Sequence, residues 1–187
     1  MTPLEIDPKF LLNAASDNDS DFFLLLLCNP GIQDALNVDR LGHRYASPVD
    51  VGYINLAARH GKFEIVKLLV EIGRLDPAFK DPYDYNNTAL HHACRIGDVQ
   101  AFDWLIEIQT VKDTVDAPNQ YGRTPISCAA KNGHSEIVDR LLKFDAVDPR
   151  RADNSQNNAL AWALKRDHYN IAQTIASDIK KKQEAKK

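Results

Sequence analysis

The chain has 187 residues, 44% of them apolar and 26% charged, which is enough to bury a core. Its longest apolar run, Phe22 to Cys28, falls far short of the ~20 residues of a membrane span and is preceded by Asp19 and Asp21, so a membrane protein is excluded. The net charge of −3 is unevenly split: residues 180–187 carry five Lys and one Glu, leaving 18 basic and 25 acidic residues before them, a body of −7 against a tail of +4. An acidic body disfavours nucleic acid, whose binding leans on many cationic phosphate contacts, and mildly favours a basic or neutral partner.

The start, Met1 to Pro8, lacks the basic and apolar regions of a secretory signal, and Cys28, Cys94 and Cys128 are odd in number and far apart. Reduced cysteines and a cytoplasmic or nuclear location are therefore expected.

Taken in chain order, Leu11-Leu12-Asn13-Ala14-Ala15 followed by Asp21 to Leu27 reads as an atypical first helical pair over 9–40, set off from the next unit by an insertion around 29–50. Gly52-Tyr53-Ile54-Asn55-Leu56-Ala57 opens a unit over 48–83. In it the small pair Ala57-Ala58 precedes Gly61, and an amphipathic stretch follows from Phe63 to Leu69. Over 84–119 the same order returns as Thr88-Ala89-Leu90-His91-His92-Ala93, Ala93-Cys94, Gly97 and Val99 to Ile106. Over 120–154 it returns as Thr124-Pro125-Ile126-Ser127-Cys128-Ala129, Ala129-Ala130, Gly133 and Ser135 to Leu142. The last unit, 155–179, begins Asn158-Ala159-Leu160-Ala161-Trp162-Ala163 and has Asp167 in the glycine's place. Gly61, Gly97 and Gly133 are spaced by 36 residues, so a helix, a turn and a second helix recur. Thr124 is placed to cap its helix, Pro125 suits the first position, and Gly133 suits the left-handed residue that ends it.

The Thr-Pro-Leu-His-x-Ala signature mirrored at Thr124 to Ala129 and at Thr88 to Ala93 resembles that of ankyrin repeats. The resemblance spans roughly 9–178 as five repeats and implies an all-α solenoid of stacked helix-turn-helix units joined by hairpin-like loops. It implies one domain over 1–179, with a Lys-rich tail at 180–187. A period of 36 against the usual 33 assigns about three extra residues to each of the connections 76–87 and 112–121, which predicts longer fingers.

The resemblance further implies that partners are held by the fingertips and by the exposed face of the first helices. The tips supply Tyr83, Asp84, Tyr85 and Asn87, then Tyr121 and Arg123; the helices supply a basic ladder of Arg59, Arg95, Lys131 and Lys165. Tyrosine combines rigid area with one polar atom and suits an interface anchor, although packing against its own hairpin is the plain alternative. The ladder suits an acidic segment, although a solvated helix face is its plain alternative. The acids Asp76, Asp81, Asp84, Asp113, Asp116, Asp145, Asp148 and Asp153 concentrate in the connections and leave the sign of the partner open.

No enzyme chemistry emerges. His91-His92-x-Cys94 has no second ligand pair at zinc spacing, the eight glycines form no phosphate loop, and the cysteines sit among apolar or small residues. Trp104 and Trp162 read as packing residues, and the terminal lysines as the favourable end of a last helix. The expected function is a non-catalytic protein-interaction module, an adaptor, inhibitor or assembly factor. It is expected to be a monomer before partner binding, with no cofactor, small-molecule substrate, direct nucleic acid or membrane. The alternative is an escort of a newly made basic protein such as a ribosomal protein, a role that similar small ankyrin proteins fill.

Overall fold

The computed structural model describes residues 48–71 and 75–184. The expected repeat at 9–40, Cys28, most of the insertion at 29–50 and the last three residues lie outside them; Pro48 to Asp50 open the first described helix. Among the described residues nine α-helices follow, eight of them in pairs. They are α1 Pro48–Arg59 with α2 Phe63–Glu71, α3 Ala89–Ile96 with α4 Val99–Glu107 and a short α5 Gln109–Asp113, α6 Pro125–Asn132 with α7 Ser135–Leu141, and α8 Ala159–Lys165 with α9 Tyr169–Glu184. The first helices stack in the order α1, α3, α6, α8, and α7 packs between α4 and α9 in a second row. Among the described residues the extended backbone amounts to one isolated bridge, Asp81 with Asn87. The fold is the all-α repeat stack that the periodicity predicts.

Small residues set the spacing of the first row: Ala57, Ala58, Ala93, Cys94, Ala129, Ala130 and Ala163 are fully buried. Between the rows, Ile54, Leu90 and Ile126 meet Ile65, Leu69, Phe102, Leu105, Ile137, Leu141 and Ile175 in one continuous core. Helices of seven to nine residues are too short to persist alone in water. Each buried Leu or Ile contributes about 1.5–3 kcal/mol, so the stack supplies what propensity does not.

The helix ends follow the sequence with one departure. Thr88 caps α3, and its hydroxyl, its backbone N–H and His91 form a reciprocal box. The His91 Nδ1 accepts from the Thr88 backbone N–H, which leaves the Nε2–H to donate to the Arg123 carbonyl of the next repeat at 3.2 Å. Burial lowers the His91 pKa to about 4, against weaker upward pulls from its backbone bonds, so this ring is neutral near pH 7. Thr124, expected to cap α6 in the same way, makes no side-chain cap bond; Ser127 replaces the histidine and its hydroxyl donates to the Thr124 carbonyl at 2.8 Å.

Gly97 and Gly133 end α3 and α6 with φ of 89° and 84°. A methyl group at Gly97 would lie 2.3 Å from the His134 ring, whose Nε2–H donates to the Arg95 carbonyl at 3.0 Å, and one at Gly133 would lie 2.8 Å from His168. Each glycine thus supplies a left-handed turn and a seat for the following repeat's histidine. Asp167, at φ 62°, holds the equivalent place in the last described pair, and its carboxylate accepts from the Tyr169 hydroxyl at 2.7 Å.

The extra length is distributed differently from the expectation of two long fingers. The hairpin that opens the α3 unit runs from Asp81 to Asn87, two residues more than Asn119 to Arg123 or Asp153 to Asn157, and the surplus forms a single 3-10 turn, Pro82–Asp84. In the connection that leaves this unit the surplus forms α5 instead, and the next finger stays short. At the other end α9 continues through Glu184, so the first lysines of the tail belong to a helix, with Lys182 paired to Asp178 at 3.1 Å.

Two outcomes follow. Gly97→Ala combines a left-handed alanine with the displacement of His134 and is expected to lower unfolding free energy by about 1–3 kcal/mol, measured by urea denaturation. As pH falls from about 6.5 to about 4 the unfolded chain takes up the His91 proton before the folded chain does, so stability declines through that window. The decline is about 3 kcal/mol from this residue, and His91→Gln is expected to flatten the urea midpoint across that range.

Candidate functional site

Three fingers are built on one device. Asp81, Asn119 and Asp153 stand at equivalent positions and turn a side-chain oxygen back onto the backbone of their own loop. Asp81 accepts from Tyr83 N–H at 2.8 Å; Asn119 Oδ1 accepts from Tyr121 and Arg123 N–H, both at 3.0 Å; Asp153 Oδ1 accepts from Ser155 at 2.9 Å and Asn157 at 3.0 Å. The fingers are also tied to one another: Gln120 N–H donates to the Tyr85 carbonyl at 2.8 Å, Asn154 N–H to the Tyr121 carbonyl at 2.9 Å, and Asn119 Nδ2 to Asn87 Oδ1 at 2.8 Å. The tips form one ledge.

On that ledge Tyr83, Tyr85 and Tyr121 are 70%, 49% and 42% exposed. Tyr85 and Tyr121 come together, ring centroids 5.0 Å apart and tilted by 38°, while Tyr83 projects alone from the longer finger. Such a pair is a preformed aromatic platform. Asn87 is half-buried and spent on Asn119.

Asp84 takes a different place from the one its fingertip position suggests. It is buried, its carboxylate bonded to His92 Nε2 and 3.8 Å from the Arg59 guanidinium. Burial alone would raise its pKa, but His92 and Arg59 together hold it below the usual carboxylate range. Asp84 therefore faces the stack and anchors the finger to α1 and α3, because its 3-10 turn directs it away from solvent.

The basic ladder divides into two halves. Arg59 and Arg95 pair internally, the first with Asp84 and the second donating to the Arg59 carbonyl at 2.8 Å. Arg123, Lys131 and Lys165 converge on Trp162, at 4.9, 4.6 and 5.8 Å from its ring, and Arg123 also lies 5.4 Å from the Tyr121 ring. Each such contact is worth roughly 0.5–1 kcal/mol where solvent reaches it. The Trp162 indole N–H donates to Asp153 Oδ2 at 2.9 Å, and Arg123 Nε reaches the same oxygen at 3.5 Å. Burial pushes the Asp153 pKa up, yet the Asn157 and Ser155 amides, the indole and Arg123 outweigh it and keep the carboxyl ionised. Burial, then the nearby Arg123 and Arg166, lower the Lys131 pKa, a sign that positive charge is crowded there.

Trp162 is the residue that packing reasoning set aside. Its repeat position is the variable one of the signature, equivalent to Leu56, His92 and Cys128. Two of these, His92 and Trp162, hold the acid of their own finger. That shared position was the available signal. Cys128, at the same position, is buried with its thiol pushed up to about 11 despite Arg123, Lys131 and Arg95 nearby, and the Cys94 thiol is likewise raised by burial, so neither is a poised nucleophile. Among the described residues no group of three or more His, Cys, Asp and Glu is placed to hold a metal ion, and no helix is long and apolar enough to cross a membrane.

The acids of the connections are largely spent inside them. Asp76 accepts from Ala78 N–H and the Thr110 hydroxyl, Asp113 from Gln109, and Asp148 from three nitrogens of Arg150. Asp116 lies 3.5 Å from Arg151, and burial pushes its pKa up to about 6.

A family model described as ankyrin repeats matches the chain in three overlapping copies, over residues 11–116, 54–147 and 109–185. No curated protein matches it.

Asp153→Ala removes the acceptor of two backbone amides and of the indole N–H together. It is expected to cost about 2–3 kcal/mol and to shift Trp162 emission to the red, against a change within about 0.5 kcal/mol for Asp148→Ala, both measured by urea denaturation followed by fluorescence.

Proposed function

This chain belongs to the ankyrin-repeat family, whose repeats are generally protein–protein interaction modules and typically non-catalytic, and we propose that it acts by holding one protein partner on the face described above. The role is that of an adaptor, inhibitor or assembly factor, with no reaction of its own. The observation that carries this reading is the continuous row from the exposed Tyr85 and Tyr121 through Arg123 to Trp162 and Lys131, the last three half-buried. Aromatic and arginine side chains are the residue types that most often carry interface energy, and here rigid fingers hold them in place before any partner arrives.

Preorganisation supports this face over a solvated one. The backbone bonds that join finger to finger fix the spacing of the two rings, so a partner meets a surface whose ordering cost was met during folding. The escort of a basic protein would draw on exposed acids, and most connection acids are engaged within the fold.

Tyr85→Ala with Tyr121→Ala is expected to abolish capture of a stoichiometric partner from native extract, while the thermal melt of the variant stays within a few degrees of the parent chain. Loss of an anchoring aromatic pair commonly weakens binding by about 2 kcal/mol or more. Retention of the same partner by the folded double variant would remove this face from the binding function.

A further inference from the structure

We propose that the part of this face between α6 and α8 takes a short acidic segment of the protein partner, its carboxylates against Lys131, Lys165 and Arg123 and an adjoining apolar side chain on the Tyr85–Tyr121 pair. The proposal rests on the binding reading above and adds the chemistry of what is bound.

Charge is the first argument. Arg123, Lys131, Lys165 and Arg166 gather at the ends of α6 and α8 and the finger that precedes α6, and Asp153, the carboxylate that Arg123 and Trp162 share, has a side chain only 2% exposed. Asp153 already holds two amides, the indole and Arg123. Among the described residues Lys131, Lys165 and Arg166 take part in no ion pair. Elsewhere on the ladder the cations are answered, Arg59 by Asp84 and Arg95 by a carbonyl. The unanswered positive charge is therefore local and sits on the bound side of the aromatic row. Like charges held this close repel one another until an anion lies between them.

Shape and overall charge select the kind of anion. The cations surround the indole and so prefer groups set along a surface to one deep in a cleft. The Tyr85–Tyr121 platform lies next to them through Arg123, which touches both Tyr121 and Trp162. A peptide that alternates acidic and apolar side chains meets both halves at once. A long phosphate polyanion does not, since it would run from a patch of four cations onto a body of net charge −7. Carboxylates of a protein segment are thus the fitting class.

The chain has two tryptophans, and Trp104 lies partly buried against the core, so Trp104→Phe leaves Trp162 as a reporter inside the site. In that full-length variant, a synthetic peptide of glutamates flanking one phenylalanine is expected to change Trp162 emission saturably at low salt. The response should weaken as salt rises and should weaken about tenfold or more with Lys131→Gln and Lys165→Gln together. The matching lysine peptide should leave the emission unchanged. A response to the lysine peptide, tighter binding of oligothymidylate than of the glutamate peptide, or no saturable change at millimolar glutamate peptide would each overturn the proposal. Capture of the natural partner separates the two readings. A partner lost by the tyrosine variant but retained by a folded Lys131→Glu, Lys165→Glu variant leaves the binding face standing and removes the acidic segment; a partner retained by both removes the face itself.

Discussion

Between Ala89 and Lys165 no helix exceeds nine residues, so none holds its shape without the neighbour stacked upon it. The stack depends on how closely successive first helices approach, and that distance is set by alanine, cysteine and glycine where the next repeat arrives. Once the helices are this close, polar groups cross the gap as well. His91 reaches the Arg123 carbonyl, Arg95 that of Arg59, and His134 that of Arg95. Each of these bonds is worth only about 1 kcal/mol net, and each forms only while the spacing is kept. Apolar contact and polar satisfaction therefore fix the same register, and a single methyl group at Gly97 disturbs both.

The fingers inherit their positions from that register. Their common Asp or Asn at 81, 119 and 153 closes each loop on itself, and the backbone bonds from finger to finger then need only the repeat spacing to form. The differences between repeats matter more for binding than the shared plan. Asp153 keeps one oxygen for its loop and gives the other to Trp162 and Arg123, whereas the corresponding helix position in the α3 unit is His92, held by Asp84 from the longer finger. One end of the face is therefore tied down by an acid–histidine contact, and the other carries a half-buried indole among cations.

The repeat was legible in the sequence because it is written in residues with steric necessity: glycine where φ is positive, alanine where helices touch, apolar side chains at helical spacing. Gly97, Gly133 and the Ala129-Ala130 pair took the places their spacing assigned. What sequence order alone did not reveal was the direction of individual polar side chains. Asp84 and Tyr83 are adjacent and both belong to a fingertip, yet a single 3-10 turn sends one into the stack and the other to solvent. Trp162 looked like packing because tryptophan on a short helix usually is; its surroundings come from three separate repeat elements and are assembled only when α6, α8 and the Asn119 to Arg123 finger meet. Thr124 makes no side-chain cap bond, and the third helical residue there is a serine that cannot complete the reciprocal box made by His91.

Net charge misleads for a related reason. A body of −7 suggests a surface that attracts cations, but the sum counts every carboxylate equally. Asp76, Asp81, Asp84, Asp148 and Asp153 serve as acceptors for amides, hydroxyls, an indole, an imidazole or a guanidinium inside the connections, and the charges of Asp84, Asp148 and Asp153 are partly offset by an arginine where they stand. Lysine and arginine on the first helices have fewer such acceptors, because a helix side presents no free backbone carbonyls except at its end. Arg95 finds one at the last turn of α1, and Lys131 finds the face of an indole. The same architecture that consumes the acids in loops thus leaves the cations displayed on helices, and the local sign of the face is opposite to that of the whole body.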